Sequence, residues 1–229
     1  MVQTLRKLYH KLQGHYVDIR ATVDKPLEWY GNEYGGFYLC PENLSPSSIV
    51  YSFGIGEDLS FDNAVLQKYS CHVFGFDPTP RSMAWIHEQT LHQNFHFYPY
   101  GIGIESGLAK FYLPKNPTHV SGSLLAVESV DTSYGIDVVI QRFSDIVREL
   151  GHDRIDIVKM DIEGSEYDII PELLKSNVRI DQILVEFHHR LIHDGARRTR
   201  KTISMLKEYG YEVFAFSAKG LEASFIKVN

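Results

Sequence analysis

Asp161, Glu163 and Glu166, grouped around Gly164 at the end of the apolar run Ile155-Asp-Ile-Val-Lys-Met160, have the types and spacing to do chemistry. Carboxylates so placed can take a proton, hold a cation or bind hydroxyls, and in an open parallel sheet the carboxyl end of a strand opens onto the ligand crevice. Gly164 permits a tight turn into a following helix. A plainer reading has Glu163 and Glu166 simply complementing the positive end of that helix. A second set lies in Glu186-Phe-His188-His189. Period-two alternation puts Glu186 and His188 on one side of a strand and His189 opposite, so Glu186 could orient His188 as a general base. The competing reading is a structural hydrogen-bonded pair. Asp161, Glu163 and His188 could also share a divalent ion of the Mn, Fe or Zn type. Spacing alone does not place three ligands on one ion, and the site is read as metal-free.

Upstream, Ser52-Phe-Gly54-Ile-Gly56-Glu57-Asp58 follows an apolar strand and precedes a helix. Gly54 and Gly56 can bring main-chain amides against a ligand with no Cβ in the way. A dinucleotide fingerprint needs a third glycine at position 59, where Leu59 stands. Asp77 follows the next strand, at the distance from the glycines where an acid holds ribose hydroxyls; a turn or helix cap with Pro78 and Pro80 is the alternative.

The elements that must position these residues alternate from about residue 48 onward. Strands are expected at 49–53, 72–76, 95–100, 155–160 and 182–187, with helices at 58–69, 80–93, 140–150, 166–174 and 197–209. This rhythm is that of a mostly parallel sheet covered on both faces. Segments 211–217 and 222–228 are separated by too few residues for a helical crossover and must pair as an antiparallel hairpin. Segment 107–113 is a further strand candidate, and 116–137, rich in Ser, Thr, Pro and Gly, is expected to form a loop over the site that includes His119. Residues 1–47 carry Trp29, Tyr30, Tyr34, Phe37 and Tyr38 and are expected to form a small helical cap on the sheet or along an acceptor pocket; 48–229 is the main domain.

Taken together, the strand-GxG element, Phe76-Asp77-Pro78-Thr79-Pro80, Lys159-Met-Asp161-Ile-Glu163-Gly-Ser-Glu166 and Glu186-Phe-His188 resemble the FkbM-type S-adenosylmethionine-dependent methyltransferases. The resemblance implies an α/β, Rossmann-like class I methyltransferase sheet, mostly parallel with a C-terminal antiparallel hairpin. It implies S-adenosyl-L-methionine as cofactor and O-methylation of a small molecule or sugar. By matching position it puts Gly54 and Gly56 on the cofactor backbone, Asp77 on its ribose, Gly103 near its adenine and Asp161 beside its reactive end. Ser52 stands where the family often has an acid, leaving Glu57 or Asp58 to contact the methionine amino group. His188, Asp161 and Glu163 are the candidate catalytic groups. The alternatives are a nicotinamide-dependent oxidoreductase, disfavoured by Leu59 and the hairpin, and a noncatalytic scaffold, made plausible by Ser52.

Composition sets the remaining bounds. A net charge of -6 argues against a general phosphate-backbone binder, and the cluster Arg197, Arg198, Arg200 and Lys201 reads as a solvated helix face. With the acceptor that the resemblance implies, the expected partner is a small molecule or sugar, not a nucleic acid or a membrane. Residues 1–16 lack the uninterrupted apolar stretch of a signal peptide. Cys40 and Cys71 form no CxxC pair, which suits a reducing, cytoplasmic setting.

Overall fold

The computed structural model describes residues 16–115, 122–125 and 130–228. Two short strands open it, β1 (Glu28–Tyr30) and β2 (Phe37–Leu39), paired as an antiparallel hairpin. A central sheet follows, built from β3 (Ile49–Phe53), β4 (His72–Phe76), β5 (Phe95–Tyr98), β9 (Arg154–Met160), β10 (Arg179–Glu186), β11 (Tyr211–Phe216) and β12 (Glu222–Lys227), in the spatial order β11-β12-β10-β9-β3-β4-β5. Strands β10, β9, β3, β4 and β5 run parallel, and β12 is antiparallel to both neighbours, β10 and β11. The expected hairpin thus forms with its second strand inserted between the first and the parallel sheet.

Strands buried on both faces are nearly continuous in apolar residues, and alternation divides them between two cores. Val50, Ile157 and Leu184 pack on one face with Phe37 and Phe61, while Tyr51, Val158 and Ile183 pack on the other with Ile146 and Ile170. The covering helices are α1 (Ser60–Tyr69), α2 (Pro80–His87), α3 (Phe143–Leu150), α4 (Glu166–Leu174) and α5 (Gly195–Glu208).

Three local expectations are corrected. Helix α2 stops at His87, short of 93, because Glu88 closes its last turn and Asn94 Nδ2 donates to the Ser70 carbonyl at 2.8 Å, pinning the chain for entry into β5. Residues 130–137 are not loop: Val130–Arg142 forms one long strand, β8, antiparallel to β7 (Gly107–Pro114) and parallel to the short β6 (Gly101–Gly103). Its polar residues face solvent on both sides, which removes the apolar alternation that marks a half-buried strand. Among described residues 16–47 there is no helix, and Phe37 and Leu39 of β2 are fully buried against the sheet. Residues 1–15 and His119 lie outside the described residues. Cys40 and Cys71 are buried free thiols. No described helix is long and apolar enough to cross a membrane.

Candidate active site

A cleft of about 270 Å³ opens at the carboxyl ends of β3, β4 and β9 and gathers most of the expected residues, including Gly54, Gly56, Asp58, Asp77, Asp161 and Glu163. Its floor is set by backbone geometry. Gly54 has φ +82°, and a Cβ there would stand 1.7 Å from the Asp161 carbonyl oxygen, so the loop and the end of β9 can meet only through glycine. Gly56 has φ +56° and open space where its Cβ would be.

Asp77 is buried and occupied. Its Oδ2 accepts from the amides of Ile55 (3.1 Å) and Gly56 (2.9 Å), and its Oδ1 accepts from the amide and hydroxyl of Thr79 (2.9 and 2.7 Å). A carboxylate offers about four acceptor positions, so Asp77 ties the glycine loop to the start of α2 with its full capacity. A ribose hydroxyl reaching Asp77 would have to displace one of these donors. Glu57 is taken up by a two-pronged pair with Arg81 (2.8 and 2.9 Å). Asp58 accepts from the Ser60 amide (2.7 Å) and from Asn32 Nδ2 (2.8 Å), which fastens the turn between β1 and β2 to the rim of the cleft. Tyr34 and Gly35 of that turn line the cleft. Gly103 does not: the wall is made by Gly101 and Ile102, and a Cβ at Gly103 would meet Ile140 Cδ1 at 2.5 Å, a packing reason for glycine.

Beneath the loop is a pair the motifs left without a role. Lys159, 4% exposed within β9, donates from Nζ to the Gly54 carbonyl at 2.8 Å. Asp62 of α1 lies buried nearby; burial pushes its pKa up, while Lys159 and Ser52 oppose that shift. A lysine inside an apolar strand and an aspartate within the stripe Phe61, Asp62, Val65, Leu66 were the available signals, since charges are rarely buried unpaired.

His188 does not line the cleft; it is buried behind Asp161 and Glu163, and acids surround it. Its Nε2 stands 3.6 Å from Asp161 Oδ1 and 3.4 Å from Glu163 Oε2, and its Nδ1 stands 3.4 Å from Glu166 Oε1. Glu166 is fully buried and accepts the His188 amide at 2.8 Å on Oε1 and the Gly164 amide at 2.8 Å on Oε2. The acid behind His188 is therefore Glu166, which the sequence offered only as a helix-dipole partner. Glu163 itself has φ +51°, a left-handed backbone in a residue with a side chain, followed by Gly164 at +105°. Such strain clusters where a side chain must be aimed. Ser123 Oγ donates to the Glu163 carbonyl at 2.8 Å, and Gly122 and Leu124 line the cleft, so this described piece of the 116–137 segment does border the site.

Charge in this cluster is unbalanced. Burial, reinforced by Asp161, Glu222 and Glu163 and opposed by His188, pushes the Glu186 carboxyl up to about 8. Burial alone would lower the His188 pKa, but Glu166, Glu163 and Asp161 outweigh it and hold it well above the ordinary imidazole value. Ligand-capable atoms of Asp161, Glu186 and His188 lie within 4.8 Å of one another. The metal-free expectation thus meets a group with ligand spacing, in which Glu186 stands where Glu163 was considered.

The strand order, the single inserted antiparallel strand and a glycine cleft at the carboxyl ends of the central strands define a class I, Rossmann-like methyltransferase domain. The profile described as "Methyltransferase FkbM domain" matches residues 49–213, and the chain belongs to that family. The domain is that of an S-adenosylmethionine-dependent methyltransferase family, not of a nicotinamide-dependent oxidoreductase. Among known proteins, human "Probable methyltransferase-like protein 24" is 23% identical over 141 residues, 61% of this chain and 32% of that protein. The match therefore spans about a third of the relative's own length. The "fibrillarin pre-rRNA processing protein" of Methanococcus jannaschii is similar in structure, with a TM-score of 0.49 and 10% identity, covering 89% of this chain and 71% of that one. Aeropyrum pernix fibrillarin "in complex with natively bound S-adenosyl-L-methionine" has a TM-score of 0.43 and 11% identity, covering 81% of this chain and 67% of that one. At these identities the likeness is one of fold. The expected exclusion of nucleic acid is withdrawn, because a global charge of -6 does not decide the local field at a site or its acceptor.

Proposed function

We propose that this domain transfers a methyl group from S-adenosylmethionine to an oxygen of a small-molecule or sugar acceptor. One observation carries the reading: a single cleft brings the Gly54–Gly56 loop, Asp77 and the Asp161–Glu163 turn together, with His188 behind them. The open space at the Gly56 Cβ position fits a cofactor held against main chain. When bound, the cofactor supplies a methyl group on a sulfonium, a good leaving group.

The chain's own residues do the rest. Gly54 and Gly56 give the cleft a floor without side chains. A ribose hydroxyl reaching Asp77 replaces the Thr79 hydroxyl on Oδ1, the one donor of the four that can rotate away. Asp161 and Glu163 face the acceptor side, where an attacking hydroxyl must lose its proton. His188 can take that proton only in its neutral form, and the acids around it favour the charged one. Holding donor and acceptor in line is worth several kcal/mol.

The test is titration calorimetry of cofactor-stripped protein with S-adenosylmethionine and with NAD. Saturable binding of the first, weakened in Asp77→Ala, supports the reading. Failure of folded protein to bind it sinks the donor assignment. Methyl transfer from labelled cofactor is then screened across hydroxylated small molecules, sugars and RNA. Label appearing only in RNA overturns the acceptor class.

A further inference from the structure

Around His188 the spacing is wrong for hydrogen bonds and right for something between the groups. Charge-assisted N–H···O bonds run about 2.7–2.9 Å, yet the nearest acid oxygens stand 3.4–3.6 Å from the ring nitrogens. The side chain is 9% exposed, with Nδ1 turned toward Glu166 and Nε2 toward Asp161 and Glu163. Two ligand atoms on one ion with bonds of about 2.0–2.2 Å lie up to about 4.4 Å apart. The ligand atoms of Asp161, Glu186 and His188, all within 4.8 Å of one another, need only a rotamer-scale contraction to meet that limit.

We infer that Asp161, Glu186 and His188 form a binding site for a divalent first-row metal ion, which Asp161 joins to the cleft. Nε2 of His188 faces Asp161 and is the ligating nitrogen, leaving Nδ1 toward Glu166 Oε1. That is the carboxylate-histidine-metal relay by which a second acid fixes the ring's tautomer and direction. Glu166 is suited to it because its other bonds, to the Gly164 and His188 amides, lock it in place. Glu163 Oε2, also 3.4 Å from Nε2, flanks the position, and Glu222 lies buried beyond Glu186, to which it is paired in register across the sheet. A mixed oxygen and imidazole donor set selects Mn, Fe or Zn over Ca. Binding of the ion does not depend on the methyl-transfer reading, and with His188 Nε2 on the ion the acceptor's proton falls to Glu163 instead of His188.

Chelator-stripped protein is titrated with MnCl₂ and free Mn²⁺ is read by electron paramagnetic resonance. The expected result is one saturable site per chain, weakened at least about tenfold, in the range for loss of ligand-supporting groups, in both Glu186→Gln and His188→Gln. The exposed-acid control Glu172→Gln keeps the wild-type affinity. Thermal melts confirm that each variant is folded; if His188→Gln does not fold, Glu186→Gln decides alone. Zn²⁺ calorimetry in buffers of different ionisation enthalpy supplies a second readout, with proton release expected on binding as the imidazole deprotonates. No saturable site, or a site equally strong in Glu186→Gln, overturns the inference. Titration with S-adenosylmethionine is run separately, so loss of the donor reading and loss of the metal site are told apart.

Discussion

The Lys159 ammonium, buried in β9, is bonded to the carbonyl of Gly54 at the tip of β3. One charged group thereby fixes the peptide on which the cofactor loop turns. Asp62, buried in the helix that follows the loop, feels the Lys159 charge, which opposes the rise that burial imposes on its carboxyl. Removing one member of such a pair leaves an uncompensated charge in the interior. Lys159→Met should lower stability by about 3 kcal/mol in urea denaturation and weaken cofactor binding. The double variant Lys159→Met/Asp62→Asn should recover part of the stability, with the gap between cycle and sum measuring the coupling.

The two glycines of the loop should respond differently to alanine. Gly54→Ala drives a Cβ into the Asp161 carbonyl and should abolish cofactor binding in calorimetry, with a melting temperature well below wild type. Gly56→Ala meets only the left-handed backbone cost, about 1–2 kcal/mol, because nothing lies within 4 Å of its Cβ position. Equal losses in the two variants would show that the clash at Gly54 is relieved by movement of the β9 end.

Glu163 sets backbone ease against function. Its φ of +51° costs about 1 kcal/mol or more, which glycine does not incur. Glu163→Gly should hold or raise the melting temperature while slowing methyl transfer, whereas Glu163→Ala should lower both. Parallel melts and initial rates decide it.

Acid sensitivity should come from the other end of the sheet. Burial, with the nearby His72 charge, lowers the pKa of both His96 and His152 below the ordinary imidazole value. His152 accepts or donates through Nδ1 to the Tyr51 hydroxyl at 2.7 Å, and His96 stacks on Phe74. A histidine with a depressed folded pKa binds fewer protons folded than unfolded, so stability falls as pH drops through about 6.5, the unfolded value. Urea midpoints should decrease from pH 7 to 5, and His96→Phe should flatten that slope. An unchanged slope would remove His96 from the account.

Much of this was legible in residues. The apolar runs at β3, β4 and β9 each end in a glycine or an acid, and that change of chemistry marks both the strand end and the cleft. The inserted strand β12 was half visible: its pairing with β11 followed from a short connection, but no local pattern says which neighbour it takes on its other edge. Strand β8 was hidden because its side chains face water, leaving backbone pairing as its main support. Glu166 was seen and given too small a part, since its buried bonds to Gly164 and His188 depend on two segments meeting in space. Asp77 shows the reverse. Its place was right, but the four donors filling it come from a loop closure that spacing cannot display.

The position of β12 between β10 and β11 bears on how the protein is born. Ribosomes extend a chain by about 5–20 residues per second, and both neighbours of β12 leave the exit tunnel before it does. Until residues 222–227 emerge, β10 shows an unpaired edge, and β11 has no partner in the central sheet. Glu222 arrives with that same strand and completes the acidic wall beside Glu186. The nascent domain can close its glycine loop early, while the acidic wall around His188 is finished only when the sheet is, so on the proposed reading the acceptor side matures after the donor side.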